Sequence, residues 1–179
     1  KYINKYPFQL SGGERQRLSV ARALILKPAY VVADEPTTML DASLKAGIVK
    51  TIRDMVKELG LSLLYITHEI TLLQFFGSET EVAVMYLGKI VEKGSVKDIL
   101  LDPIHPYTKA LLLAIPIPDP KARHSREIML KKPAPSPLNR PPGCVLSDRC
   151  PFAEAICKKD PPKLRKISSG REVACHIFG

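Results

Sequence analysis

Residues 10–17 read LSGGERQR, and this stretch decides how the rest of the sequence is interpreted. Its two glycines, Gly12 and Gly13, allow the backbone to come close to a ligand. A helical pattern begins directly behind them, and the free N–H groups and positive dipole end of a helix bind anions. The hydroxyl of Ser11 adds a further donor. Because a Ser-Gly-Gly cap can also be purely structural, the interpretation depends on the residues further along the chain.

A short apolar run ends in two adjacent acids, Asp34 and Glu35, which begin 17 residues after Arg17. The run, residues 30–33, predicts a strand buried on both faces in a parallel sheet. Two acids at the end of such a strand are costly unless they are used. In phosphoryl transfer the first would hold magnesium, and the second would orient or deprotonate the attacking water. The alternative is a turn or a helix cap.

Periodic apolar residues between Leu44 and Leu59 predict a helix that ends at Gly60. Residues 61–67 predict the next buried strand, and His68 follows at its carboxyl end, where α/β sheets bind ligands. Strand, helix and strand in this order predict an α/β layer with right-handed crossovers. We expect a hairpin over residues 81–92 to extend that sheet or to form its edge.

The segments beyond this layer predict short helices, a connector and a tail. Residues 69–76, 96–101 and 106–114 predict helices, and residues 115–143 predict an extended Pro-rich connector. We interpret His105, which leads into the helix over 106–114, as a cap and packing residue rather than a ligand.

Charge and proline divide the chain unevenly. The net charge is +9, of which residues 1–120 carry +1 and residues 121–179 carry +8, and 11 of the 16 prolines lie from position 116 onward. This shift predicts a domain change near Ile115. A basic tail could bind nucleic acid or anionic lipid, but aromatic residues make up only 6% of the chain, which favours a solvated surface. No segment has the ~20 apolar residues of a membrane span, and no export signal opens the chain. We therefore expect a soluble protein.

Four stretches, LSGGERQR, VVADEPT, LD and ITH, resemble the ATP-binding cassette (ABC) proteins in order and spacing over residues 1 to about 100. The resemblance implies the C-terminal half of a RecA-like ABC ATPase domain with a parallel sheet, acting on ATP and Mg²⁺. It makes Asp34 the Walker B magnesium acid, Glu35 the catalytic glutamate and His68 the switch histidine at the γ-phosphate.

The same resemblance implies contacts with a second ATPase subunit. Ser11, Gly12 and Gly13 would form the signature that touches ATP held by the opposite subunit, and Asp41 would lie in the D-loop at the dimer interface. The D-loop departs from the common Ser-Ala-Leu-Asp form, because residues 38–41 read TMLD.

One departure from the family pattern is large. The chain contains no G-x-x-x-x-G-K-[S/T] phosphate-binding loop and no Q-loop before the signature, and it begins with Lys1 rather than Met. We therefore expect these residues to be a piece of a longer protein, binding ATP poorly and not hydrolysing it alone.

Residues 84–94, 105–112 and 115–120 resemble the oligopeptide/dipeptide importer ATPases. The resemblance implies a homo- or heterodimer at the cytoplasmic face of the membrane. Transmembrane permease subunits and, indirectly, a substrate-binding protein would be its partners, and the solute could be a peptide, nickel or an oligosaccharide. No nucleic acid is expected. The alternatives are a soluble ABC protein acting on nucleic acid and a stand-alone metal or cluster module.

All four cysteines lie in the last 36 residues: Cys144, Cys150, Cys157 and Cys175. So small and polar a segment needs a cross-link or a bound metal group to be stable. Two disulfides, a zinc site and an iron–sulfur cluster are all compatible with it. The tail also resembles the C-terminal segment of the oligopeptide importer ATPases, in which a 4Fe–4S cluster is reported for some members. That favours the cluster, with zinc as the alternative and His176 as a bystander.

The predicted organisation is therefore a partial ABC ATPase domain over residues 1–115, a Pro-rich linker over 116–143 and a Cys-rich C-terminal domain over 144–179.

Overall fold

A computed structural model describes residues 4–38, 40–115, 130, 132–136, 138–168 and 170–179. Its contacts divide the chain into two compact units, Lys1–Phe76 and Gly77–Gly179, which we call the first and the second unit.

The first unit alternates helices and strands. A 3-10 turn (Pro7–Gln9) leads into α1 (Gly12–Leu24), and β1 (Tyr30–Asp34), α2 (Ala42–Leu59) and β2 (Ser62–Ile66) follow, with a 3-10 helix (Ile70–Phe75) at the end. The two strands are parallel, with Tyr30 opposite Ser62 and Asp34 opposite Ile66. This strand–helix–strand unit confirms the predicted α/β layer.

The helix boundaries in the first unit follow from capping residues in the sequence. Ser11 caps α1 by accepting a hydrogen bond from the backbone N–H of Glu14, and Asp41 caps α2 through Leu44. At the other end of α2, Gly60 takes φ +63°, a left-handed conformation that glycine adopts without steric cost. The predicted end of α2 is confirmed.

The core of the first unit lies along one face of α2. Leu40, Ile48 and Ile52 are buried there, with Val20 and Leu63 among the side chains packed against them. The prediction that both strands are buried on two faces is wrong for the described residues. Burial alternates along each strand, and Val32 and Leu64 remain 55% and 46% exposed, because the described helices cover only the opposite face.

The second unit is built on an antiparallel sheet. Its strands are β3 (Glu81–Tyr86), β4 (Lys89–Ser95), β5 (Arg165–Ser168) and β6 (Arg171–Val173), in the order β3-β4-β6-β5. Its helices are α3 (Val96–Leu101), α4 (Pro106–Leu113) and α5 (Ala155–Lys159). The expected hairpin is present, but the described part of the sheet corrects its position. Its second strand pairs with β6 of the tail, Glu92 opposite Val173, and not with β1 or β2.

The second unit has an enclosed core. Val91, Ile99, Leu146 and Val173 are each no more than 1% exposed, so strand, helix and Cys-rich segments all contribute to one interior. Arg171 reinforces the tail strand, because it donates to Asp102 at 2.9 Å and lies 3.9 Å from the buried carboxylate of Glu92.

The predicted domain boundaries at residues 115 and 143 stay predictions. Residues 116–129, the first half of the predicted linker over 116–143, lie outside the described residues. In the structure the segment after 143 shares a sheet with residues 81–95. No helix in the described part of the chain has the length and apolar character of a membrane span.

Candidate functional site

The acids and the histidine predicted from strand ends lie together in the first unit. Because β1 and β2 are parallel neighbours, their carboxyl ends meet at one edge, and the N–H of Glu35 donates to the carbonyl of Ile66 at 3.0 Å. This places Glu35 beside His68, whose Nδ1 is 2.8 Å from Oε1 of Glu35. Asp34 is the last residue of β1, at the same edge.

Two side chains hold the carboxylate of Glu35. The hydroxyl of Thr38 donates to Oε2 at 2.7 Å, and His68 contacts the other oxygen. These two hydrogen bonds, first that of Thr38 and then that of His68, lower the pKa of Glu35 because they favour its charged form. The site therefore presents an ionised, oriented carboxylate at neutral pH.

The backbone of Glu35 is also unusual. Its φ is +44°, in the left-handed region that residues other than glycine rarely adopt. Such strained conformations concentrate at functional sites, where the surrounding structure enforces them. Since the side chains of Glu35 and His68 are 43% and 63% exposed, a ligand can reach this strained, preoriented pair.

A pocket of about 200 Å³ connects the end of β1 with α1. Asp34 lines it together with Gln16 of α1 and Ile52 and Val56 of α2. The helix that follows the signature therefore borders the same cavity as the first of the two strand-end acids.

The signature residues form a cap that faces solvent at its first position. Ser11 is exposed, its hydroxyl donates to Glu14 Oε2 at 3.0 Å, and the N–H of Glu14 lies 3.3 Å from Ser11 Oγ. A Cβ added at Gly13 would meet only ordinary contacts, at 3.7 Å to Leu44 and 3.9 Å to Leu40. Packing within the first unit therefore does not require glycine at position 13, which favours the ligand-approach interpretation over the structural one.

Asp41 is exposed and accepts a hydrogen bond from the N–H of Leu44 at 3.0 Å. Its structural role as a helix cap is therefore clear. A role at a dimer interface stays a prediction.

The sequence analysis did not identify two interactions near this site. One is Thr38, whose signal is its position three residues after Glu35, the reach of a single turn. The other is the ion pair between Lys45 of α2 and Glu69, which is backed by a hydrogen bond from the N–H of Glu69 to the hydroxyl of Thr67. A pair 24 residues apart leaves no local pattern in the sequence.

The second unit contains a separate candidate site. One pocket is lined by all four cysteines, Cys144, Cys150, Cys157 and Cys175, and each is a free thiol. Burial first, and then the neighbouring cysteines, raise the pKa of Cys144. None of the four cysteines forms a disulfide, so the two-disulfide alternative is not present in this structure.

Besides the cysteines, three polar side chains line this pocket: His105, Ser147 and His176. His105, 1% exposed, accepts the N–H of Tyr107 at Nδ1 (3.1 Å), and burial lowers the pKa of His105 to about 4. This confirms its expected role as a cap and packing residue. Ser147, 4% exposed, has no hydrogen-bond partner for its hydroxyl among the described residues. His176 lies 2.8 Å, through Nε2, from the carbonyl of Asp160.

The cysteine pocket is narrow, with a central volume of about 10 Å³. Among the described residues, no three His, Cys, Asp or Glu side chains are arranged to hold a metal ion. The four thiols thus share one pocket without forming a ligand cage.

Comparison with known families matches two parts of the chain. Residues 1–38 match the ABC transporter family, and residues 91–157 match the family described as oligopeptide/dipeptide transporter, C-terminal region.

Individual relatives match almost the whole chain. YkfD of Bacillus subtilis, named as a putative oligopeptide transport ATP-binding protein, is 45% identical over 98% of the chain and 53% of its own length. The oligopeptide transport ATP-binding protein OppF of Haemophilus influenzae is 42% identical over 97% of the chain and 52% of its own length. The chain thus spans about half the length of these relatives. Among solved structures, the ATP-binding cassette MJ0796 bound to ADP and Pi is 30% identical over 53% of the chain and 40% of its own, with a TM-score of 0.46.

Proposed function

We propose that the whole protein hydrolyses ATP to drive the import of oligopeptides or dipeptides. The reason is that the chain belongs to the ATP-binding proteins of ABC transporters. The observation that carries the proposal is the contact of Glu35 with His68 at the exposed edge of the parallel strands, next to Asp34. Peptide rather than another solute follows from the names of the relatives that match the chain. Nothing in the matches favours the nucleic-acid alternative.

Glu35 is the residue that positions the attacking water. Its carboxylate is held by Thr38 and His68 and stays ionised at neutral pH, so it accepts a hydrogen bond from water in a fixed direction. Because its pKa lies below the ordinary value, Glu35 is a weak base, and orientation of the water contributes more than early proton removal.

Asp34 and His68 act on the phosphate side of the reaction. Asp34 would hold Mg²⁺, which neutralises charge on the phosphate oxygens when it is bound. His68 keeps one ring nitrogen on Glu35 and has its side chain largely exposed, so its other edge is available to the γ-phosphate.

The signature acts on a second copy or a related subunit. Gly12 and Gly13 form the first turn of α1, and the packing does not demand glycine at position 13. Ser11 caps this turn with an exposed hydroxyl, and its N–H and hydroxyl are both held by Glu14 Oε2. These residues suit a phosphate presented from outside the chain. ATP would thus join two subunits, with Asp41 near their contact, and hydrolysis would release them. The permease subunits at the cytoplasmic face of the membrane, with a substrate-binding protein acting on them, would receive this motion.

The test is Glu35→Gln in the whole protein. We expect ATP turnover to fall by at least about 100-fold, the contribution of a positioned general base, while Mg-ATP still binds. The matched control is Glu58→Gln, on the exposed end of α2, which should leave turnover unchanged. Turnover near the wild-type value in Glu35→Gln would remove the proposal.

We further propose that the four cysteines of the second unit hold a 4Fe–4S cluster, with zinc as the alternative. The proposal is supported by the number and the placement of the cysteines: Cys144, Cys150, Cys157 and Cys175 all line one pocket, and such a group takes four thiolate ligands. Ser147, whose buried hydroxyl is orphaned, lines the same pocket. Because the thiols do not form a cage by themselves, binding would draw them together and would be coupled to the stability of this unit.

Metal analysis after anaerobic purification tests this proposal. We expect iron and sulfide with a visible absorption band, all lost in Cys157→Ser. One zinc per chain without iron would establish the alternative. If the chain holds neither metal even after reconstitution, the proposed metal site is wrong. The proposed role of Glu35 would not be affected.

A further inference from the structure

The backbone that carries His68 lies in a short segment between two elements of the first unit. β2 ends at Ile66, and the 3-10 helix begins at Ile70. The ring of His68 is exposed, and its Nδ1 contacts Glu35 at 2.8 Å. A hydrogen bond at one nitrogen does not by itself fix the orientation of an exposed ring. The contacts that hold this segment therefore help to decide where the other edge of the ring points.

Glu69, the residue after His68, is held through its backbone and through its side chain. Its N–H donates to the hydroxyl of Thr67 at 3.0 Å, which closes a tight turn around the histidine. Its carboxylate forms an ion pair with the ammonium group of Lys45, which donates a hydrogen bond to Oε1. The side chains of Lys45 and Glu69 are 19% and 24% exposed, and a pair shielded to this extent is screened less by salt than one at the surface.

Lys45 belongs to a helix that packs into the core of the first unit. It lies in the first turn of α2, where its N–H donates to the carbonyl of Asp41 at 3.0 Å. Ile48 and Val49, one turn further along, are buried. The ammonium group of Lys45 therefore ties the histidine segment to a fixed part of the fold.

We infer that Lys45 is a positioning residue for the hydrolytic site. By pairing with Glu69 it fixes the segment that carries His68, and it thereby aims the exposed edge of the ring at the γ-phosphate. The inference rests on the proposed function, in which His68 acts on that phosphate. It goes beyond that function by assigning a task to a side chain that the proposed mechanism does not use. A site whose supporting contacts are removed loses activity even when its reacting groups are intact.

Arg53 provides a matched control on the same helix. It lies eight residues after Lys45, about 12 Å further along the axis of α2 at 1.5 Å per residue. Its guanidinium pairs with Asp54 and donates to the carbonyl of Phe75 at 2.9 Å. Arg53 thus also ties α2 to the chain that follows β2, but at the end of the 3-10 helix away from His68. A general loosening of this packing should appear in variants of both residues.

The experiment compares Lys45→Met with Arg53→Met in the whole protein, by ATP turnover and by thermal unfolding. We expect kcat of Lys45→Met to fall roughly 10- to 100-fold, because a misplacement of about 1 Å can cost about 100-fold. Its KM for Mg-ATP should change by less than about threefold, since the lost support acts mainly in the transition state. Arg53→Met should keep both constants, while the two variants lower Tm to a similar extent.

Two further variants keep the test decisive if Lys45→Met folds poorly. Exchange of the two charges, Lys45→Glu together with Glu69→Lys, should restore most of the turnover that each single change removes. In a His68→Ala background, measured by single turnover, Lys45→Met should cost less than about twofold more, because the ion pair acts through the histidine.

The outcomes separate this inference from the proposed function. If Arg53→Met lowers kcat as much as Lys45→Met, or if Lys45→Met still lowers the turnover of His68→Ala, the ion pair only docks the segment and the inference is wrong. Wild-type turnover in Lys45→Met beside a strong loss in His68→Ala overturns the inference alone. Wild-type turnover in His68→Ala removes the proposed role of His68, and the inference with it.

Discussion

The two units of this chain differ in how far their candidate functional side chains are exposed to solvent. In the first unit Glu35 and His68 stand exposed at a strand edge, and one face of the two-stranded sheet, with Val32, is exposed as well. In the second unit the cysteine pocket is enclosed beside a core that includes Ile99 and Leu146. The first unit therefore leaves its strand-end side chains open to other molecules, whereas the second unit encloses its four cysteines within its own fold.

The largest effect is expected when a core side chain of the second unit is truncated. Ile99 is 0% exposed, so Ile99→Ala should lower the free energy of unfolding of the second unit by roughly 2–5 kcal/mol, through lost burial and a cavity. Leu101→Ala, in the same helix but 77% exposed, should change it by less than about 0.5 kcal/mol. Denaturant titration measures both. Equal costs would mean that this core is not the one that stabilises the unit.

The buried histidine should make the second unit sensitive to acid. Burial lowers the pKa of His105 to about 4, below the value of 6.5 expected in the unfolded chain. Because the unfolded state binds the proton more readily, stability is fully present above pH 6.5 and is lost as the pH falls toward 4. At about 1.4 kcal/mol per pH unit, the loss is roughly 3 kcal/mol.

His105→Asn isolates this contribution. The variant has no titrating group at position 105, so the difference between its stability and that of wild type should shrink by that amount from pH 7 to pH 4. Denaturant midpoints of both chains, measured after treatment with a chelator, provide the comparison. Parallel stability curves over this range would contradict the assignment of a buried, neutral imidazole.

A smaller effect is expected at the exposed site of the first unit. Thr38→Val removes the 2.7 Å hydrogen bond to Glu35 and keeps the shape of the side chain. We expect ATP turnover of the whole protein to fall about tenfold, the value of one hydrogen bond to a charged group. Thr51→Val also removes a hydroxyl hydrogen bond, to the carbonyl of Gly47, and should leave turnover unchanged. If the two variants behave alike, Thr38 does not position the carboxylate.

The same substitution at one position in each sheet compares an exposed strand face with a buried one. Val32→Thr on the exposed face of β1 should change the free energy of unfolding by less than about 0.5 kcal/mol. The same replacement at Val84, 7% exposed in β3, buries an extra hydroxyl and should cost roughly 1–3 kcal/mol. A comparable cost at both positions would show that Val32 is covered in solution.

Local patterns in the sequence predicted the elements of the first unit well. The cap residues Ser11 and Gly60 mark helix ends through contacts within one turn, which a sequence displays directly. The meeting of Glu35 with His68 was also predictable, because parallel neighbouring strands bring their carboxyl ends together. Burial of the strands was not, since it depends on which layers cover the sheet.

In the second unit, the pairing of strands that are distant in the sequence could not be predicted. The pairing of β4 with β6 joins residues about 80 positions apart, and neither strand contains a signal for the other. Likewise, the cysteines could be grouped by composition, but Ser147 and His105 reach their pocket only through the tertiary fold. The sequence therefore predicted that the four cysteines lie together, but not which other side chains line their pocket.

In the proposed mechanism, the signature of one subunit and the strand-end acids of another act on the same nucleotide. Light scattering of the whole protein carrying Glu35→Gln, with and without Mg-ATP, tests this directly. We expect the mass to double with Mg-ATP, and we expect Ser11→Arg, in the same background, to prevent the doubling. A protein that binds Mg-ATP yet stays monomeric at every concentration would contradict the proposed mechanism.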